Sequence, residues 1–102
     1  MKTKKETPQI SAADFPALRD FLRGYFHQDF ADEYGSAKGA AEQFRQDADE
    51  AQREALAEEW LRFLARMRGQ PLGAINHALA SLGSACILSQ SDVDGVSKVL
   101  QA

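Results

Sequence analysis

The residues with the richest chemistry lie together in the stretch Tyr25-Phe26-His27-Gln28-Asp29-Phe30-Ala31-Asp32-Glu33-Tyr34. An imidazole followed by carboxylates is the donor set of a metal centre or of an acid–base pair. The spacing argues against a metal centre. His27, Asp29 and Glu33 are separated by two and then four residues, which does not bring all three onto one helical face. The other histidine, His77, falls on the polar side of its own amphipathic segment, and the single cysteine, Cys86, cannot complete a zinc pattern. Structural roles account for the same side chains. His27 near a helix end complements the dipole, Asp29 and Asp32 tie a loop through backbone hydrogen bonds, and Phe30 and Tyr34 fold that loop onto the core. Cys86 is flanked by Ala85, Ile87 and Leu88. With no base beside it, it reads as a small buried hydrophobe and not as a nucleophile. The expectation is a chain with no metal, no cofactor and no enzymatic site.

Charge gives the stronger signal. From Asp29 to Glu59 there are ten acidic residues: Asp29, Asp32, Glu33, Glu42, Asp47, Asp49, Glu50, Glu54, Glu58 and Glu59. Against these ten stand three basic ones, Lys38, Arg45 and Arg53, leaving −7 in a chain whose total is only −3. Glu50, Glu54 and Glu58 recur at four-residue spacing, which makes one ridge of a helix. Such a face repels nucleic acid and steers towards a basic protein surface. The same ridge also serves as an ordinary solvated face, with Glu58 and Arg62 spaced for an i,i+4 pair. Arg62, Arg66 and Arg68 suit a helix C-terminus and lack the interleaved exposed aromatics of a nucleic-acid stripe.

The elements that must position these residues are helical. A chain of 102 residues holds one domain. Residues 1–11 read as a flexible lead-in, and residues 12–102 as a single helical domain. The first helix is expected to begin at Asp14 as N-cap with Pro16 in its first turn. It carries Phe15, Leu18, Leu22, Tyr25 and Phe26 on one face and Arg19, Asp20 and Arg23 on the other. Its aromatic content places it at the centre of the core. A second helix runs from Ser36 to about Gln46, with Ala37, Ala40, Ala41 and Phe44 inward and Gly39 weakening it. The third opens on an Asp49–Gln52 capping box and carries a stripe of Leu56, Trp60, Phe63, Leu64 and Met67. Gly69 and Pro71 close it. Leu72, Ile75, Leu79 and Leu82 define a fourth helix stopped by Gly83. Ser84 to Gln90 is a connector with a strand-like apolar half. Ser91 or Asp92 then caps a last helix bearing Val93, Val96, Val99 and Leu100. The fold class is all-α, a small bundle of four or five helices. No leader and no membrane span is readable, so the chain is expected to be soluble and cytoplasmic with no membrane partner.

The segment from Phe15 to Phe30, and above all Tyr25-Phe26-His27-Gln28-Asp29 followed by an aromatic, resembles the small bacterial immunity proteins of contact-dependent growth inhibition systems. Glu33-Tyr34-Gly35-Ser36 ahead of a helix and then an acidic helix is similar as well, and so is the Leu82-Gly83 pair. The likeness runs over residues 14 to 100, with Phe30 where the family more often has Trp. It implies neutralisation by binding: the protein occupies a delivered toxin domain, often a nuclease with a basic active-site surface, in the cytoplasm and without turnover. Tyr25 and Phe26 are expected in the core, with His27, Gln28 and Asp29 ending the helix. Glu50, Glu54 and Glu58 are the expected partner-binding residues, the partner being the cognate toxin domain and not nucleic acid. The alternative reading is a helical adaptor or regulator acting as a homodimer through a leftover apolar patch.

Overall fold

The computed structural model describes residues 10–27 and 34–101, and among these the amphipathic periods resolve into five helices. They are α1 (Pro16–Tyr25), α2 (Ala37–Asp47), α3 (Glu50–Arg66), α4 (Leu72–Leu82) and α5 (Gln90–Leu100), with a 3₁₀ turn at Ala12–Asp14 ahead of α1. The described residues contain no strand. The fold is a small all-α bundle. Among the described residues no helix is long and apolar enough to cross a membrane.

α1 touches α2, α3 and α4, while α5 lies along α2 and also meets α3. The first helix is therefore central, as its aromatic density predicts. Phe15, Leu18, Phe21, Leu22 and Phe26 are buried, and they meet Leu56, Trp60, Phe63 and Met67 from the α3 region. Phe15 and Phe63 pack edge to face with centroids 6.2 Å apart. Phe21, absent from the predicted stripe, is buried too and packs edge to face on Phe26 and Phe44.

The start of α1 differs from the expectation. Asp14 belongs to the 3₁₀ turn, which Ser11 caps, and the N-cap of α1 is Phe15, which has no side chain able to accept a hydrogen bond. The missing acceptor comes from another helix. Glu59 of α3 is buried, and its Oε1 accepts the Leu18 N–H at 2.8 Å. A helix N-terminus leaves several N–H groups without intrahelical partners, and its dipole favours a negative charge there. One carboxylate meets both demands and ties α1 to α3. Arg62, one turn further along α3, adds a hydrogen bond from Nη1 to the Asp14 carbonyl at 3.1 Å and lays its guanidinium 4.8 Å from the Phe15 ring centroid.

The other helix ends follow local chemistry. α3 has the full capping box: Asp49 Oδ1 accepts the Gln52 N–H, and Gln52 Oε1 accepts the Asp49 N–H. α5 has one too, but its N-cap is Ser89, with Asp92 as the reciprocal partner three residues on, not Ser91 or Asp92. Gly39 is required where it stands in α2, because a Cβ there would collide with the Tyr34 carbonyl. Gly83 ends α4 at φ 123°, a conformation that favours glycine. The connector after it forms no strand. Asn76 of α4 supplies what a neighbouring strand would, accepting the Leu88 N–H at 2.7 Å and donating to the Leu88 carbonyl at 2.8 Å. This clamp holds Leu88 in the core. The lone tryptophan, Trp60, is buried and donates from Nε1 to Ser97 Oγ at 2.8 Å, joining α3 to α5.

Glu59→Ala strands the Leu18 N–H and is expected to cost about 2 kcal/mol of unfolding free energy. Glu59→Gln keeps an acceptor and is expected to lose less. Urea unfolding of the two variants measures the difference, and equal losses would remove the capping role.

Candidate partner-binding surface

The first half of α3 carries the predicted acidic ridge, and its position follows from the burial of the opposite side. Leu56, Glu59, Trp60 and Phe63 face the core, which leaves Glu50, Glu54 and Glu58 exposed. The three do not present equal charge. Glu58 is engaged by Arg62, whose Nε and Nη2 donate to its two oxygens at 3.0 and 3.3 Å. That hydrogen bond holds the Glu58 carboxyl below its ordinary value, and the adjacent guanidinium offsets the negative charge presented outwards. Glu50 and Glu54 border a shallow depression shared with Arg45 and Arg53. Both guanidinium groups are turned towards backbone carbonyls. Arg45 donates to Val99 O at 3.1 Å, and Arg53 to Ala48 O at 2.6 Å and Arg45 O at 3.3 Å.

The Tyr25–Asp29 motif divides at the edge of the described residues, since Gln28 and Asp29 lie outside them. α1 ends at Tyr25, so His27 stands beyond the helix rather than in its last turn. Phe26 is fully buried. Its carbonyl accepts the Ala85 N–H at 2.8 Å, and the Cys86 thiol lies 3.4 Å from the same oxygen and 3.3 Å from His27 O. Burial pushes the Cys86 thiol up from its ordinary value, which fits a structural side chain and not a nucleophile. Half-buried rather than fully in the core, Cys86 uses its sulfur to tie the α4–α5 connector to the motif. His27 packs towards Tyr34, with ring centroids 6.2 Å apart. His77 is exposed on α4. Among the described residues no group of three or more His, Cys, Asp or Glu is placed to hold a metal ion.

Tyr25 departs from the expected core position. It is half-buried, with its ring against Phe21, Tyr34 and Phe44 and its hydroxyl reaching the surface. The hydroxyl donates to Asp47 Oδ2 at 2.6 Å, and Gln43 Nε2 donates to Asp47 Oδ1 at 2.9 Å. Burial and the bond to Asp47 push the Tyr25 phenol upwards, and that same bond, helped by Gln43, holds Asp47 below its ordinary value. Asp47 is thus a second, differently supported carboxylate. It is oriented by neutral donors, which leave its full charge in place. Sequence reading counts Asp47 within the acidic segment but not its partnership with a residue 22 positions away. The signal available was the pair itself, a phenol on the rim of one helix and an acid at the end of the next.

A family model described as CdiI immunity protein matches residues 14–79. That span takes in α1 to α3 and most of α4, and it stops short of Leu82-Gly83 and of α5. No curated protein and no solved structure matches the chain.

Tyr25→Phe removes the hydroxyl that favours ionised Asp47, so the Asp47 pKa is expected to rise towards the ordinary carboxylate range. Carboxyl carbon shifts followed by NMR across acid pH report it directly. In the parent protein the bond to Asp47 stabilises the fold above the ordinary carboxylate pKa and is lost as pH falls through the depressed value. Tyr25→Phe should therefore flatten the acid limb of the stability profile. An unmoved Asp47 titration would show that the hydroxyl does not engage it.

Proposed function

The chain belongs to the CdiI immunity protein family, and from that premise we propose that it neutralises a delivered toxin domain by occupying it stoichiometrically, through the acidic surface around α3. Members of this family bind a cognate toxin protein, so the function is protection by binding. The observation that carries the finer reading is the −7 balance of residues 29–59, of which Glu50, Glu54, Asp47 and Asp49 are exposed. A face of that sign raises the rate of encounter with a basic partner and disfavours nucleic acid. A nuclease domain, with the basic surface that phosphate binding requires, is the class of toxin it suits. The blockade would operate in the cytoplasm, ahead of the toxin's substrate, with no turnover.

In this reading Glu50 and Glu54 lead the contact. Glu58 contributes less, because Arg62 already holds it. The homodimeric adaptor needs an apolar patch worth burying. Among the described residues the exposed large hydrophobics are Leu61 and Ile87, on different elements of the chain. Single exposed residues of this kind are normal on a monomer.

The test is association of the purified protein with the toxin domain encoded beside it, at low and high salt. Charge reversal at Glu50, Glu54 and Glu58 is expected to slow association by about tenfold at low salt and by less at high salt. Glu58→Lys alone should do less than Glu54→Lys. An association rate indifferent to the triple reversal would overturn the acidic-face reading. Light scattering that finds a stable dimer and no toxin complex would favour the adaptor.

A further inference from the structure

On the side of α3 away from the Arg45–Arg53 depression lies a cleft of about 440 Å³, bounded by α1, the end of α2 and the first half of α3. Its origin is side-chain size. Ala17 of α1 faces Ala51 and Ala55, one turn apart on α3, and Ala48 closes the corner between α2 and α3. Where larger residues would fill the angle between the helices, these leave an apolar floor. Tyr25 and Phe44 stand as an aromatic wall. The mouth is lined by Asp20, Asp47 and Asp49, and among the described residues that line it there is no lysine or arginine.

Two of the three carboxylates, Asp47 and Asp49, differ from Glu58 in how they are held. Asp47 takes hydrogen bonds from Tyr25 and Gln43, and Asp49 from the Gln52 backbone. All these donors are neutral, so they orient the carboxylates and leave their charge in place. Asp20 has Arg19 at 3.4 Å, with 74% of the Asp20 side chain exposed. An exposed pair of that kind binds weakly and yields to a better partner.

We propose that this cleft receives an arginine side chain from the toxin domain, an inference that rests on the immunity reading and adds to it a point of contact beside the glutamate ridge. An apolar floor suits an aliphatic stem, and an aromatic wall suits the flat face of a guanidinium. The oriented carboxylates of Asp47 and Asp49 at the mouth accept its fork of N–H donors. A purely apolar occupant would cover three carboxylates without bringing them a positive charge, and an anion would be repelled by them.

The test fills the floor and, separately, removes the charge. Ala51→Leu places a good helix former at an exposed position and occupies the cleft. Asp20→Asn with Asp47→Asn and Asp49→Asn keeps an acceptor at each site, including the α3 cap, and deletes three charges. Each variant is expected to bind the toxin domain at least about tenfold more weakly than the parent, while Ala80→Leu on exposed α4 binds as the parent does. Unchanged melting temperatures show that the variants are folded. Parent-like binding by Ala51→Leu overturns the cleft and leaves the immunity reading standing. If the parent itself binds no toxin, that reading fails, and a titration of the ¹⁵N-labelled protein with acetyl-Gly-Arg-Gly-amide decides the cleft alone. Shifts centred on Ala17, Ala51 and Ala55 that vanish in Ala51→Leu support it, and their absence overturns it.

Discussion

The bond from the Leu18 amide to the Glu59 carboxylate is the constraint on which the arrangement depends. α1 begins on Phe15 and Pro16, a pair chosen for burial and for a fixed backbone angle, and neither offers a side-chain acceptor to the amides that follow. The helix is complete only when α3 lies against it. Docking of α3 thus completes the first turn of α1, and the bond sets which turn of α3 faces which turn of α1. The aromatic contacts follow that register, Phe15 against Phe63 among them. So does the placement of Asp20 and Tyr25 across from Asp49 and Ala51.

What the sequence revealed and what it hid divide along the same line. The capping box of α3, the apolar stripe from Leu56 to Phe63 and the stop at Gly83 are written in neighbouring residues, and all three were legible. Glu59 reads as one of ten acids in the segment, and charge is the usual mark of exposure. Its position told otherwise: it stands three residues after Leu56 and four before Phe63, within the buried stripe. Its partner lies 41 positions away and is a backbone amide, which no side-chain pattern announces. Asp14 looked like the N-cap of α1 because it is the right residue type one position too early. Ser89, Ser91 and Asp92 each make a plausible cap within four positions, and only the backbone decides among them. The candidate surface was legible as net charge and not as geometry, since charge adds along a chain and clefts do not.

The acidic segment shows why a count of carboxylates is a poor map of electrostatic surface. Glu58 looks outward and is bound by a cation of its own helix, so its field is largely spent within the molecule. Asp47 is held by a phenol and an amide, donors that fix its direction and subtract no charge. A partner carrying positive charge meets little from the first and nearly a full unit from the second. Among its described residues the motif reaches this surface through the Tyr25 hydroxyl, while Phe26 and the His27 carbonyl are occupied in holding the α4–α5 connector. One short stretch of chain thus serves the interior and the exterior at adjacent residues.

The placement of the single tryptophan has a spectroscopic consequence. Trp60 emits from the junction of α3 and α5, with its indole N–H bonded to Ser97 and its ring stacked near Phe63, 5.9 Å between centroids. It lies on the opposite side of α3 from the exposed glutamates. Its fluorescence is therefore a native gauge of whether the last helix is seated on the third. Occupancy of the outer surface should pass it by almost unseen, so docking and loosening of the domain can be told apart in one cuvette, without a label.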